Sequence, residues 1–260
     1  MDWRSVSLLT YSNTSTEVAE SGLDTVVIPV GATEQFGPYL PMHLDTLIAE
    51  LYAAEYGNVL DAYVLPVLPF NTSEEHAGYK GTVTVGPNVI SAFVEEMIVN
   101  LRRQGFSKFV ITSGHGGSYW ITPFIKHMNY KYDDIVVVHP QHQPGAWEYA
   151  VKEAGLEGRN EIHGGLIGMC TAMFLCPQNV VALVSSGSDI PMDDNKLADY
   201  MGWDKLTKDG NWGQFVPSNY SQDELAEMGR TLWMTFIRRN CDGLKEHLDE
   251  AYRRKTGKGE

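Results

Sequence analysis

The chain has 260 residues, and 20 Lys and Arg against 33 Asp and Glu give it a formal net charge of −13. An apolar content of 43% with 20% charged residues is typical of a folded protein and excludes an intrinsically disordered one. The acidic balance and the lack of a basic stripe exclude a nucleic-acid partner, because phosphate binding needs a surface rich in Lys and Arg.

Four short runs rich in β-branched residues predict the strands of a sheet. None of them alternates between apolar and polar residues, which is typical of strands that helices cover on both faces. In chain order, the predicted strands are residues 25–30, 62–67, 109–112 and 135–138.

Helical patterns lie between these runs and after them. The predicted helices cover residues 46–56, 90–104, 119–130 and 166–175, and residues 221–254 predict one long surface helix. Residues 210–219 are rich in turn formers and predict a long loop, and the chain from Arg253 onward is expected to fray. This alternation predicts an α/β fold, with a mostly parallel sheet between helical layers, and one domain over residues 1–260.

Candidate catalytic and metal-ligating side chains follow the predicted strands. Because functional loops lie at the carboxyl ends of parallel strands, these side chains are expected to meet at one edge of the sheet. The candidates in residues 31–46, 71–86, 113–118 and 161–165 are Glu34, His43, Asp45, Glu74, Glu75, His76, Lys80, His115 and His163.

Glu34, Asp45 and His115 predict a metal site. Carboxylates and imidazoles suit Zn²⁺, Mn²⁺ or Fe²⁺, and three protein ligands leave an open position for a water that the metal activates. Gly116 and Gly117 would let a ligand approach the backbone closely. The residue pattern alone also fits Asp45 as the N-cap of a helix and His115 as part of a tight turn, so both interpretations stay open.

Three histidines and one lysine suggest further roles around such a metal. His163 is the candidate general acid and base, because an imidazole titrates near neutral pH. Lys80 is a candidate partner for an anionic substrate or an oxyanion, and its alternative is an exposed, solvated lysine. His139 and His142, which follow the fourth predicted strand, are additional candidates for the pocket.

Four segments resemble, in order, the motifs of the creatininase family. VIPVGATEQFGPYLPMHLDT resembles PxGxxEQHGPHLPxxxD, EHAGYKGTVT resembles EHxxFPGT, TSGHGGS resembles NGHGGN, and EIHGG resembles the HAG or HGG motif. The order and spacing agree from about residue 25 to residue 185, and the agreement weakens toward the C-terminus.

The resemblance implies a three-layer α/β/α sandwich, assembly into a homo-oligomer, commonly a hexamer, and metal-dependent hydrolysis. Family members open cyclic amides such as creatinine, remove formyl groups from amines, cleave a peptide or hydrolyse a ring ketone of an inositol derivative. By position, Glu34, Asp45 and His115 match the ligands of one metal, and Asp45 normally bridges to a second. His163 matches the histidine assigned to proton transfer.

Three departures from the family pattern concern the second metal. Phe36 replaces the histidine of EQH, Gly117 stands where creatininase has a glutamate, and Gly168 stands where many relatives carry another glutamate. Of the usual second-site ligands, only Asp45 remains. We therefore expect one divalent cation per chain, and a drier cavity wall at Phe36 that suits a less polar or larger substrate than creatinine.

Two other interpretations stay open. In one, substitute ligands restore a two-metal centre, with His43, Glu75, His76 and Glu161 as the candidates. In the other, the chain is a lyase, an isomerase, a hydrolase that opens a lactone or breaks a C–C bond, or a ligand-binding homologue without activity, because a fold does not determine its reaction.

The favoured prediction is a metal-dependent hydrolase that cleaves a cyclic amide, a formamide or a related C–N bond of a small molecule. The lack of a secretory signal, a membrane-spanning run and a CxxC pair predicts a cytoplasmic protein without a membrane partner. Ser118 takes the Asn position of NGHGGN, and Trp147 lies where a tryptophan of creatininase lines or gates the pocket. The predicted substrate contacts are His43, His76, Lys80, Gly116, Gly117, Ser118, Trp147 and Glu161.

Overall fold

The computed structural model describes residues 8–140, 143–157, 161–181, 183 and 197–257. Its central feature is a parallel sheet of four strands in the order β2–β1–β3–β4. The strands are β1 (Thr25–Val30), β2 (Tyr63–Val64), β3 (Lys108–Ser113) and β4 (Val136–Val138). The prediction of a mostly parallel sheet is confirmed.

β2 is shorter than the predicted strand over residues 62–67. Leu65 still donates a backbone hydrogen bond to Val27 of β1, at 3.1 Å. The next residue is Pro66, which has no N–H with which to continue the ladder. The chain rejoins the edge of β1 at Leu68, which forms an isolated bridge with Val30.

Eight α-helices occur in the described residues. Three of them, α2 to α4, begin and end within four residues of their predicted bounds, α6 has the predicted bounds, and α1 and α5 were not predicted. None of these helices is both long and apolar enough to cross a membrane. The helices are α1 (Ser15–Glu20), α2 (Leu44–Leu60), α3 (Pro87–Arg103), α4 (Ile121–Lys131), α5 (Ala146–Glu153), α6 (Leu166–Leu175), α7 (Gln222–Cys241) and α8 (Leu244–Thr256).

The prediction of one long helix over residues 221–254 is wrong. The structure has two helices there, because Asp242 leaves the helical conformation and Gly243 adopts a positive φ of 67°. A left-handed residue of this kind ends a helix, and glycine adopts it without strain. The prediction that the chain frays from Arg253 is also wrong as far as Thr256, and residues 258–260 lie outside the described part.

The sheet separates two apolar cores, as the alternation of side chains along a strand requires. On one face, Val27 and Val110 pack against α2, α5, α6, α7 and α8. On the other face, Val26, Ile28 and Phe109 pack against α3 and α4. The fold is therefore the predicted three-layer α/β/α sandwich.

Candidate metal centre

The carboxyl ends of β1 and β3 bring Glu34, Asp45 and His115 together. β1 leads into the loop that carries Glu34, β3 leads into the turn that carries His115, and Asp45 lies in the first turn of α2. Gly114 allows α2 to reach this edge, because a Cβ atom at Gly114 would overlap the Asp45 carbonyl oxygen. The two ligand-bearing segments are thus in direct backbone contact.

The three side chains converge on one point. Nδ1 of His115 lies 3.3 Å from Oε2 of Glu34 and 3.1 Å from Oδ2 of Asp45. All three residues are buried, with exposed fractions of 1% for Glu34, 4% for Asp45 and 7% for His115. Their ligand atoms form a group in which every pair lies within 4.8 Å.

Two of these atoms are buried acceptors without a donor. Within the described part of the chain, neither Oε2 of Glu34 nor Oδ2 of Asp45 accepts a hydrogen bond of good geometry. A buried carboxylate oxygen without a partner is costly. A divalent cation at this point would satisfy both oxygens, so the residues present fit the metal that the sequence predicts.

The imidazole of His115 is already oriented for a metal. Its Nε2 lies 2.7 Å from the backbone oxygen of Thr72. Because a carbonyl only accepts, Nε2 carries a hydrogen, so loss of the second ring proton to an incoming cation would leave an Nδ1 lone pair that faces Glu34 and Asp45. A hydrogen bond from the second nitrogen to a carbonyl is the usual support of a metal-binding histidine.

The charges at this point compensate each other. Burial would raise the pKa of Glu34, but the nearby charge of His115 and a hydrogen bond from His163 hold it well below its usual range. Burial, reinforced by the charge of Glu34, raises the pKa of Asp45 to about 7. Burial would lower the pKa of His115, but the carboxylates of Glu34 and Asp45 hold it well above its usual range. A cation bound by these atoms would therefore displace protons.

A second group of side chains meets the other oxygen of Glu34. Nε2 of His163 lies 3.2 Å and Nε2 of His76 lies 3.4 Å from Oε1 of Glu34. The two imidazoles stack with ring centroids 4.4 Å apart, and Phe36 stacks on the other side of His163 at 4.2 Å. Burial lowers the pKa of His76 to about 3, so this ring is neutral.

Gln35 contacts both imidazoles of this second group on the side away from Glu34. Its Nε2 lies 2.8 Å from Nδ1 of His76, 3.4 Å from Nδ1 of His163 and 3.2 Å from the backbone oxygen of Gly210. Its Oε1 accepts a hydrogen bond of 2.7 Å from the backbone N–H of Gly37. Sequence reasoning did not single out Gln35, although its position next to Glu34 in the EQ pair was a signal.

Both groups open into a cavity of about 450 Å³. Its walls are mainly apolar and include Phe36, Trp147, Trp203 and Trp233. The two tryptophans at 203 and 233 were not predicted, since nothing in their local sequence separates them from core residues. Of the predicted substrate contacts, the cavity is lined by His76, Gly116, Gly117, Trp147 and Glu161.

The structure does not bring the other predicted contacts to this cavity. Lys80 is exposed, and His43 is the partly buried residue before α2. The hydroxyl of Ser118 lies 2.5 Å from that of Ser113 and accepts a hydrogen bond from Asn71 at 2.7 Å, below the turn. The geometry therefore does not support substrate contacts for these three residues.

Glu161, a candidate substitute ligand, holds the start of α6. Its carboxylate accepts backbone hydrogen bonds from Gly165 at 2.8 Å, Ile167 at 2.8 Å and Gly168 at 3.0 Å. Burial raises the pKa of Glu161, although these three bonds oppose the shift. The carboxylate is thus engaged at the helix N-terminus, and it belongs to neither group around Glu34.

The carboxylate of Glu75 occupies the space that a side chain at residue 117 would need. A Cβ atom at Gly117 would overlap the carboxylate of Glu75 and lie 2.5 Å from Nε2 of His115. Glu75 Oε1 lies 3.8 Å from that nitrogen, on the side of the ring away from Asp45. Glu75 therefore lines the cavity without joining either group.

His139, one of the two remaining histidine candidates, lies away from this centre. His139 lies with its Nδ1 2.7 Å from the backbone oxygen of Ile111, and it lines a separate cavity with His247. His142 lies outside the described residues. His139 is therefore not part of the centre around Glu34.

Comparison with known proteins relates the chain to amidohydrolases and peptidases. The family model described as creatininase, creatinine amidohydrolase, matches residues 11–239. A mycofactocin precursor peptide peptidase from Mycolicibacterium smegmatis is 39% identical over 105 residues, which cover 36% of this chain and 40% of that protein. A creatinine amidohydrolase from Pseudomonas putida is 28% identical over 115 residues, which cover 42% and 44%. The chain thus matches about two fifths of the length of these relatives.

Solved structures share the fold over nearly the whole length. The crystal structure of creatinine amidohydrolase (creatininase) has a TM-score of 0.67 at 18% identity, covering 94% of this chain and 99% of that one. A creatininase variant described as the Zn–Zn type has a TM-score of 0.68, with the same identity and coverage. At this identity the likeness shows the fold alone. The family model adds the motifs over most of the chain, and the chain therefore belongs to the creatininase family.

Proposed function

We propose that this chain is a metal-dependent amidohydrolase that cleaves a C–N bond beside a carbonyl group of a small molecule. One divalent cation per chain, Zn²⁺, Mn²⁺ or Fe²⁺, would be held by Oε2 of Glu34, Oδ2 of Asp45 and Nδ1 of His115. Membership of the creatininase family and relatives named as an amidohydrolase and a peptidase support the reaction class.

One observation carries this proposal. Two buried carboxylate oxygens without hydrogen-bond donors face an imidazole nitrogen, and the other nitrogen of that ring is bound to the Thr72 carbonyl. A single Nδ1–H of His115 cannot satisfy both oxygens, which lie 3.3 Å and 3.1 Å from that nitrogen. A three-ligand cation site with an open side toward the cavity accounts for the whole arrangement.

The cation and the protein side chains would supply different parts of the reaction. A divalent cation at such a site supplies Lewis acidity, which polarises a carbonyl group and lowers the pKa of a water. His163 lines the cavity beside Glu34, where its imidazole can take a proton from an attacking water and return it to the departing nitrogen. Phe36 and Trp203 pack against the edges of this site and limit the access of bulk water.

The cavity walls support a substrate with an apolar part. Phe36, Ile48, Trp147 and Trp203 line the cavity on several sides. Aromatic walls gain binding energy from apolar area, whereas a small polar ring such as creatinine offers little of it. We therefore expect faster hydrolysis of an amide that bears an aromatic or aliphatic group than of creatinine.

A peptide is the second candidate substrate class. A cavity of about 580 Å³ adjoins the first and shares Glu75, Gly117 and Trp203 with it. Tyr119 and Tyr200 line its outer part. A cleft that continues past the centre suits an extended chain, and one relative is named as a peptide peptidase.

Metal analysis and a substrate panel test the proposal. We expect about one equivalent of Zn²⁺ or Mn²⁺ per chain after loading and desalting, and hydrolysis of an N-acyl amide, an N-formyl amine or a short peptide. His115→Ala should abolish cation uptake. His163→Ala should keep the cation and lower kcat by about 10²–10⁴-fold, the usual contribution of a general acid or base.

The panel separates the candidates. Release of an amine from peptides alone would favour the peptidase over the small-molecule amidohydrolase. A protein that takes up no divalent cation, or a His115→Ala variant that keeps it, would contradict the proposal.

A further inference from the structure

The cavity at the metal centre has walls of two chemically different kinds. The carboxylates and imidazoles gather around Glu34, whereas another wall belongs to the apolar core on that face of the sheet. This second set, termed the apolar wall, comprises Leu44 and Ile48 of α2, Ile167 and Thr171 of α6, and Trp233 of α7. None of these side chains is ionisable.

The apolar wall begins beside the candidate cation. Asp45 and Ile48 are three residues apart on α2, so Ile48 lies about 4.5 Å further along the helix axis. Side chains at this spacing share one face of a helix, and both residues line the cavity. Ile167 and Thr171 are likewise one turn apart on α6 and line the same cavity. A substrate held at the cation therefore has this wall within one helical turn.

The polar atoms of the apolar wall bind each other. Nε1 of Trp233 donates a hydrogen bond of 2.8 Å to Oγ1 of Thr171. That hydroxyl donates its single hydrogen to the backbone oxygen of Ile167, also at 2.8 Å. The other side chains of this wall contain neither nitrogen nor oxygen. A substrate group that packs here thus meets no free side-chain donor and no charge.

This chemistry selects one kind of substituent. A carboxylate, an ammonium or a hydroxyl placed against the apolar wall would lose its hydration without gaining a partner. An apolar group gains free energy with the area that it buries. The indole of Trp233 offers a flat face that favours an aromatic ring, and Trp147 packs against this indole with the ring centroids 5.7 Å apart.

We propose that the apolar wall forms a specificity pocket for an uncharged aromatic group of about phenyl size, carried by the substrate next to its scissile amide. The inference rests on the proposed function and adds the place where the apolar group binds, its lack of charge and the residues that select it. Ile48, Thr171 and Trp233 are specificity residues and do not touch the reacting atoms. Glu161 brings no free charge to α6, because three backbone N–H groups bind its carboxylate.

Two pairs of amides test the preference. Acetamide and phenylacetamide differ in the acyl part, and N-methylacetamide and N-benzylacetamide differ in the amine part. In at least one pair, we expect kcat/KM of the zinc-loaded enzyme to be about ten- to a hundredfold higher for the aromatic member. A carboxylate at the 4-position of the ring should remove this gain, because the pocket offers a charge no partner.

Ile48 sets the size of the pocket, and two substitutions change it in opposite directions. Ile48→Phe fills the pocket and should abolish the preference for the phenyl group. Ile48→Ala enlarges it and should raise the rate for a naphthyl group relative to a phenyl group by about tenfold. The ratio of two rates measured on one enzyme sample does not depend on the folded fraction, so partial unfolding leaves it unchanged.

A matched control and a readout without metal complete the experiment. Ile98 is similarly buried but belongs to α3 on the other face of the sheet, so Ile98→Ala should leave every ratio unchanged. Saturation-transfer difference NMR of phenylacetamide and N-benzylacetamide with metal-free protein should show contact at the ring protons. Ile48→Phe should remove this signal.

The outcomes separate the pocket from the proposed function. Equal rates within both pairs would overturn the inference and leave the proposed function standing. A preference that both Ile48 variants keep unchanged places the ring elsewhere and also overturns it. If no amide is hydrolysed and no cation is bound, the proposed function fails; a ring signal that Ile48→Phe removes would still support the pocket, and its absence would overturn it.

Discussion

Phe36 stacks on the imidazole of His163 with the ring centroids 4.2 Å apart and an angle of 26° between the planes. Phe36 itself is 8% exposed and is part of the apolar core beside α2. The phenyl ring thus fixes the plane of the candidate acid and base, and it occupies the position where the family motif has a histidine.

Replacing this ring by Leu should reduce turnover without removing the metal. Phe36→Leu keeps most of the apolar volume, so we expect a loss of about 1 kcal/mol in the free energy of unfolding. The ring of His163 gains freedom, and a misplaced catalytic group costs about ten- to a hundredfold in kcat. Chemical denaturation, metal analysis and steady-state kinetics check the three expectations, and an unchanged kcat would show that Phe36 does not orient His163.

Cation affinity should rise with pH through the neutral range. Asp45 has a pKa raised to about 7, and that of His115 is held well above its usual range, so both hold protons that a cation must displace. Lowering the pH below about 7 adds protons to the same atoms and weakens binding. Isothermal titration of Zn²⁺ or Mn²⁺ in buffers of different ionisation enthalpy should show proton release, and an affinity independent of pH between 6 and 8 would contradict the assignment of these ligands.

A methyl group at residue 117 should damage the metal site, whereas one at residue 116 should not. At Gly117 a Cβ atom would overlap the Glu75 carboxylate and press on the ring of His115, but at Gly116 no atom lies within 4 Å. We expect Gly117→Ala to weaken cation binding by about ten- to a hundredfold, the usual cost of displacing a ligand's support. Gly116→Ala is the matched control, and equal affinities in the two variants would contradict this prediction.

Removing Glu161 should lower stability and leave the metal content unchanged. Glu161→Ala removes the acceptor of three backbone N–H groups at the start of α6, and we expect a loss of about 2 kcal/mol or more. Thermal unfolding with and without Zn²⁺ measures the change. A variant that loses one equivalent of metal would instead identify Glu161 as a substitute ligand.

The parts of the fold that follow from local sequence could be predicted. The β-branched run of β1 and the apolar helix α6 show their character within six and ten residues, respectively. The break between α7 and α8 was missed because Asp242 and Gly243 interrupt a continuous helical pattern for only two residues. α5 was missed because it has only eight residues.

The candidate site could likewise be predicted only in part. Glu34, Asp45 and His115 could be grouped from the sequence, because each lies close to the end of a strand or the start of a helix. The contact between His76 and Gln35 could not be predicted, since the two residues lie 41 positions apart and Gln35 is itself held by the backbone oxygen of Gly210. A hydrogen-bond direction is a property of the packed loops, and no local pattern encodes it.

The close contact between the start of α2 and Gly114 restricts the motion of this helix. Because the Asp45 backbone rests on the turn that carries His115, the first turn of α2 cannot lift from the sheet without separating two of the three ligand atoms. A bound ion would then fasten the first turn of α2 to the turn that carries His115. Amide hydrogens in the first turns of α2 should exchange more slowly with deuterium when Zn²⁺ is present, while those of α3, on the other face of the sheet, keep their rates.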